Sequence, residues 1–141
     1  MELQSLQVTK LYKHGYRYEW KLTRSLRLKG LAAVRTAGSG KSGYSPDVLA
    51  GFKGNIAAIQ VKTTYERALY ISQGDLTSLL EFSSLFGSEP WFYVVFKKFK
   101  LAVFAKPETF EKTSRGFKLT LERAKSLGLP LSKFIELLMN K

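Results

Sequence analysis

Residues 55–63, Asn-Ile-Ala-Ala-Ile-Gln-Val-Lys-Thr, constrain the fold more than any other stretch of this chain. They read as a strand. The run Ser45-Pro46-Asp47-Val48-Leu49-Ala50-Gly51 before them reads as a turn leading into a short buried strand over 46–52. Side chains alternate across a strand, so Ile56, Ala58, Gln60 and Lys62 share one face while Ala57, Ile59 and Val61 share the other. Gln60 and Lys62 then stand roughly 7 Å apart on one side, and a hairpin turns them toward the region of Asp47. A carboxylate, a second oxygen donor and a lysine on adjacent strands suit metal-dependent phosphodiester hydrolysis, because oxygen ligands hold a hard cation and the ammonium offsets developing charge. The same residues also fit a solvated strand end beside an ordinary Pro-Asp turn, and both readings stand at this point.

The 141 residues are 45% hydrophobic and 13% aromatic, which is enough for one domain with a single core over 1–141. No apolar run approaches the roughly 20 residues of a membrane span, and no signal pattern opens the chain. Without cysteine and with one histidine, thiolate sites are excluded and a zinc site is disfavoured. These features point to an intracellular, cytoplasmic protein. The net charge is +12, from 23 basic and 11 acidic residues. Residues 1–41 hold nine of the basic side chains against Glu2 and Glu19. A globular chain this basic is expected to meet a polyanion, with phosphate contacts supplying much of the affinity.

A helix is expected over 16–29, with Leu22 and Leu26 on the same stripe as Glu19 and with Arg17, Lys21, Arg24 and Leu28 opposite. A carboxylate on the inward stripe requires a cation, a metal or several donors. An arginine partner would satisfy it without any catalytic role. Gly30 closes the helix, and 31–35 reads as a buried strand. The glycine-rich segment 38–45 reads as a mobile loop. A strand at 69–72 precedes a helix at 74–86, whose inward residues are expected to be Leu76, Leu79, Leu80 and Phe86, with Ser72 and Asp75 as a capping box. A hairpin of 91–96 and 101–104 turns around Lys97-Lys98-Phe99-Lys100, and a short helix lies near 130–139. Gly38-Ser39-Gly40-Lys41-Ser42 imitates the end of a phosphate-binding loop. Position 35 is arginine where that motif needs glycine, and Gly43 and Pro46 lead into a strand where the motif opens a helix. A nucleotide-hydrolysing reading and a small-molecule substrate are therefore set aside.

Several fragments together resemble the archaeal Holliday-junction resolvases of the PD-(D/E)xK nuclease superfamily. They are Gly15-x-x-x-Glu19, Gly30-x-x-Ala33-Val34-Arg35-x-Ala37-Gly38-Ser39, Pro46-Asp47-x-x-Ala50-Gly51, Ala58-Ile59-Gln60-Val61-Lys62, Leu69-Tyr70, Asp75-x-x-x-Leu79-x-Glu81-Phe82 and Phe86-Gly87. The likeness spans about 13–106, leaving a tail at 107–141 to pack on the core. It implies an α/β, restriction-endonuclease-like core, a central mixed sheet flanked by helices. It also implies a homodimer that cuts four-way DNA junctions with Mg²⁺, for which Mn²⁺ can substitute. Carried over by position, Glu19, Asp47 and Gln60 become the metal site, Lys62 the motif lysine, Arg35 an arginine beside the site, and Ser39 a residue that handles the scissile phosphate. Lys13, Arg17, Arg35 and Lys41 are the candidate DNA contacts. Two positions depart from the family: Gln60 stands where it normally has glutamate, and Trp20 where an arginine commonly follows the helix glutamate. An amide oxygen ligates a cation without adding charge. The alternative is thus a non-cleaving junction-binding paralogue or disabled variant, and a general basic nucleic-acid binder is a third reading.

Overall fold

A computed structural model describes residues 16–36 and 46–141. Helix α1 (16–28) leads into β1 (Ala32–Arg35), β2 (Val48–Phe52) and β3 (Asn55–Thr64). Next come β4 (Ala68–Ser72), α2 (Gln73–Phe86), β5 (Glu89–Phe96) and β6 (Leu101–Ala105). The chain ends with β7 (Glu111–Lys112), β8 (Gly116–Thr120), α3 (Leu121–Leu127) and α4 (Leu131–Met139). Five strands form a mixed sheet in the order β1-β2-β3-β5-β6, and β4-β8-β7 form a small second sheet. Every pairing in the large sheet is antiparallel except β3 with β5, which the crossover through β4 and α2 makes parallel. No helix among the described residues is long and apolar enough to cross a membrane.

The alternation in β3 divides the core. Ala58 joins Leu76 and Leu79 of α2, Phe92 and Val94 of β5, and Leu119 and Leu121 from the C-terminal region. Ala57 and Ile59 join Leu22 and Leu26 of α1 and Phe134 and Leu138 of α4. Residues beyond 106 therefore contribute to both faces. Phe134 stacks on Phe104 at 3.9 Å between centroids, and Asn55 donates to the Leu138 carbonyl at 3.0 Å, which ties α4 to the start of β3. A buried aromatic of this kind is worth about 3 kcal/mol or more against alanine.

The β2–β3 hairpin turns through Lys53 and Gly54, both at positive φ (48° and 91°). That two-residue geometry matches the twist of the strands it joins. Gly30 at φ 97° stops α1 in the left-handed region and lets the chain reverse into β1.

Two expectations need correction. On α2 the inward set is Leu76, Leu79 and Ser83, while Leu80 is 42% and Phe86 50% exposed. Positions 76, 79 and 83 centre the inward stripe and Leu80 and Phe86 fall on its two edges, so hydrophobicity alone misplaced them. Strand β1 is buried on one side only. Ala33 faces the core, and Val34 is half exposed on the opposite side of the edge strand among the described residues. Leu121–Leu127, not expected as a helix, forms α3, capped by the Thr120 side chain accepting from the Arg123 amide.

Candidate active site

The parallel pairing of β3 with β5, and the antiparallel pairing of β1 and β2, bring four chain segments to one end of the large sheet. These are the C-terminal ends of β1, β3 and β5 and the approach to β2. Thr36 donates its amide to the Asp47 carbonyl at 3.0 Å and its hydroxyl to the Pro46 carbonyl, so the β1–β2 ladder continues up to the site.

Asp47 lies just ahead of β2 and is 8% exposed. Its backbone amide donates to the Ile59 carbonyl at 2.9 Å, and its Oδ2 accepts from the Val61 amide at 2.8 Å. The carboxylate is thus fixed against the strand that carries Gln60 and Lys62. Charge-assisted bonds to backbone amides are strong, and this one sets the orientation of Asp47 before any ligand arrives.

Glu19 projects from the first turns of α1, and its Oε1 accepts from Arg35 Nε at 3.1 Å. The Arg35 guanidinium in turn lies 3.9 Å from the centre of the Tyr16 ring and 5.9 Å from that of Trp20. The two rings meet edge to face at 6.0 Å. Burial pushes the Glu19 carboxyl above its ordinary range, and the negative charge of Asp47 pushes it further. The hydrogen bond and charge of Arg35 oppose both without cancelling them. A carboxyl whose proton affinity is raised by burial and by a second carboxylate is suited to meet a cation.

Lys62 belongs to the other face of the sheet. Its Nζ lies 3.0 Å from Asp75 Oδ2 in the first turn of α2. The expected capping box is therefore half made: Ser72 accepts from the Asp75 amide at 3.0 Å, while the Asp75 carboxylate is committed to Lys62. Gln60 pairs in register with Phe92, is partly exposed, and shares the strand face of Ala58 and Lys62. Arg17 is exposed on α1. Among the described residues no three histidine, cysteine, aspartate or glutamate side chains cluster as a metal-binding set. Lys13, Ser39 and Lys41, together with the expectation of a mobile loop over 38–45, lie outside the described residues.

Glu19, Arg35, Asp47 and Lys62 thus come to one sheet end from four segments, with Glu19 and Arg35 on the α1 side and Lys62 on the α2 side. Asp75, Tyr16 and Trp20 were not foreseen as parts of the site. Tyr16 and Trp20 stand one helical turn apart around Glu19, a spacing that places aromatic rings beside the carboxylate. Nothing local in the sequence ties Asp75 to Lys62, because their contact depends on how α2 crosses the sheet.

Comparison with known proteins places the chain in a family. The profile of the archaeal Holliday junction resolvase (Hjc) family matches residues 10–141. The crossover junction endodeoxyribonuclease Hjc of Archaeoglobus fulgidus is 34% identical over 120 residues, covering 84% of this chain and 87% of that protein. Its namesake from Methanocaldococcus jannaschii is 34% identical over 85 residues, covering 60% of this chain and 61% of the relative. The 1.6 Å structure of A. fulgidus Hjc, described as a Holliday junction resolvase from an archaeal hyperthermophile, superposes with a TM-score of 0.78 at 28% identity. That superposition covers 87% of this chain and 96% of the other. By the profile match and the A. fulgidus relative, the chain belongs to the archaeal Holliday junction resolvase family.

Proposed function

We propose that this protein is a structure-selective endonuclease that resolves four-way DNA junctions in the cytoplasm by divalent-metal-dependent phosphodiester hydrolysis. The observation that carries this reading is the Asp47 carboxylate, oriented by the Val61 amide beside a second, half-buried carboxylate, on the strand that also presents Lys62.

The residues present fit a divalent metal. Asp47 and Glu19 supply two hard oxygen donors whose mutual repulsion a cation would relieve, and the Gln60 side chain is a neutral third donor. Mg²⁺ retains several waters and needs few protein ligands, and Mn²⁺ accepts more varied ones, so both suit the set. When bound, such a metal polarises the phosphate and lowers the pKa of water. The chain's own groups do the rest. Asp47 is held rigid by the strand, so the donor set needs little reorganisation. Arg35, fixed against Tyr16 and Glu19, sets a positive charge beside the site. Lys62 is poised to leave Asp75 for the more strongly charged phosphate, where its ammonium offsets the charge that develops in an in-line displacement.

A two-fold substrate with two equivalent cutting points suits a two-fold protein, so the working unit is proposed to be a homodimer. The exposed apolar side of α2 is the proposed interface. There Leu85 and Phe86 are open, and Phe82 stacks on Phe86 at 5.1 Å.

A second reading, a junction-binding paralogue that does not cut, is favoured by one observation, the missing third carboxylate at Gln60. Cleavage of an end-labelled four-way junction with and without Mg²⁺, beside a gel shift against linear duplex, separates the two. Metal-dependent paired nicks support the nuclease. Selective binding without cutting under Mg²⁺ or Mn²⁺ supports the paralogue, and equal affinity for duplex and junction removes both.

A further inference from the structure

On the side of the large sheet that carries α1, the helix stands away from β5 and β6 and leaves a cavity of about 210 Å³. Its floor is apolar, with Val95 and Ala102 facing each other as register partners and Leu131 of α4 beyond them. One wall is Tyr18, the residue next to Glu19 and about 100° around the helix from it. Tyr93 adds a phenol whose pKa is pushed up by burial and by neighbouring Tyr18, so its hydroxyl keeps its proton at neutral pH.

Lys21 lines the cavity, and Lys97 and Tyr65 stand next to its Tyr18 wall. Lys97 follows directly on β5, and its Nζ lies 5.4 Å from the centre of the Tyr18 ring and 5.0 Å from that of Tyr65. Lys21 Nζ lies 5.9 Å from the same Tyr18 ring. Neither lysine has a carboxylate within ion-pair distance among the described residues. Tyr65 is 63% exposed. A lysine bracketed by two tyrosines is an expensive ornament for a structural turn, but it suits a ligand that is flat and apolar on its faces and anionic at its edge.

The cavity also lies close to the candidate active site. Val61, whose amide orients Asp47, pairs in register with Tyr93. Asp47 is therefore about two strand spacings, on the order of 10 Å, from Tyr93 at the near edge of the cavity, and the floor lies further along β5. A nucleotide adjoining the scissile phosphate spans that distance.

We propose that this cavity receives one unpaired nucleobase from the DNA strand being cut, with Tyr18 as its aromatic wall, Tyr65 beside the entrance and Lys21 and Lys97 on the flanking phosphates. This rests on the reading of the protein as a junction nuclease. The volume admits one heteroaromatic ring system but not a whole nucleotide, which keeps sugar and phosphate at the rim beside the lysines. Bases at a branch point have lost a stacking neighbour, so withdrawing one costs less there than inside a duplex, and an aromatic wall accepts any base. Selection of branched over linear DNA would follow in part from that difference.

The test measures binding without divalent metal to two substrates, a four-way junction and a duplex with one bulged nucleotide. Each is made with the base present and with that nucleotide abasic. Wild type should bind the base-containing form about tenfold more tightly in both substrates. Ala102→Trp, which fills the floor, should remove that preference by weakening only the base-containing form. Tyr65→Ala, at an exposed position with little bearing on folding, should reduce the preference to about threefold. Equal wild-type affinity for base and abasic forms of both substrates would overturn the proposal, as would an unchanged preference in a folded Ala102→Trp or in Tyr65→Ala. Wild-type discrimination of the four-way junction from plain duplex reports separately on junction binding. It survives a failed cavity, and a base preference in the bulged duplex survives a failed junction reading.

Discussion

The Glu19–Arg35 and Lys62–Asp75 ion pairs sit on opposite sides of the same sheet end, and the sequence builds them differently. Both partners of the first are largely buried, at 18% and 16% exposed, and Tyr16 and Trp20 cover the guanidinium. The partners of the second are 26% and 42% exposed, and it joins the end of β3 to the first turn of α2. In a covered pair of this kind desolvation offsets much of the attraction, and the surrounding rings hold its geometry. A half-exposed pair is worth at most about 1 kcal/mol and exchanges partners readily. One side of the site is thus prebuilt and the other is adjustable. Asp47 links them, bonded to the backbone of β3 and felt electrostatically by Glu19.

The largest effect should come from the link itself. Asp47→Ala should lower junction cleavage by about 10³-fold, roughly 4 kcal/mol of barrier, while junction affinity stays within about twofold or tightens because a negative charge near DNA is gone. Loss of binding by a folded variant in a gel shift would place Asp47 in recognition instead of chemistry. Gln60→Glu should act in the opposite direction. By adding a charge on the adjustable side it should raise Mg²⁺-dependent cleavage by about tenfold, some 1.4 kcal/mol. Wild-type cutting should be less impaired in Mn²⁺ than in Mg²⁺. Full wild-type activity in Mg²⁺ with no gain in the variant would make the amide a competent ligand.

Asp75→Asn probes the adjustable pair alone. If Asp75 parks Lys62 in the right place between encounters, single-turnover cleavage should fall by about three- to fivefold with junction affinity nearly unchanged. A faster variant would instead mean that Asp75 holds Lys62 back, and that the exchange of partners limits the rate.

This difference between the two sides also explains what could be read from the chain. The strands around Asp47, Gln60 and Lys62 were legible because alternation and a Lys53-Gly54 turn specify a hairpin locally. The inward placement of Glu19 followed from the helical period with Leu22 and Leu26. The pairing of Lys62 with Asp75 was hidden because it depends on the crossover that places α2 against β3, and two residues 13 apart give no local sign of meeting. The orientation of α2 failed for a related reason. Leu80, Leu85 and Phe86 are as apolar as Leu76 and Leu79, and a helix with apolar residues spread around its axis does not reveal which of them face its own core. Helix α3 was missed because its seven residues carry too little periodic signal and owe their place to the Thr120 cap and to Leu121 and Ala124 in the core.

The smallest effect concerns stability on the prebuilt side. Burial, then the charge of Asp47, raises the Glu19 pKa against the opposing pull of Arg35. The folded protein therefore holds that proton more tightly than the unfolded chain does. Its stability falls as pH rises from the ordinary carboxylate range through the raised native pKa. Glu19→Gln removes that loss. At pH 7 the variant should melt a few degrees above wild type, about 3 °C, and the two should converge once the pH drops below the ordinary range of a glutamate. A divalent cation should reverse the ranking, because only wild type offers it two carboxylates. At ten times its dissociation constant, Mg²⁺ adds about 1.4 kcal/mol to the form that binds it. Thermal melts at pH 7 with and without Mg²⁺, repeated at pH 4 without it, test both halves. A variant that melts below wild type at pH 7 without metal would mean that the Arg35 bond outweighs the burial of Glu19. The side of the site described as prebuilt for a cation would then be built first for the ion pair.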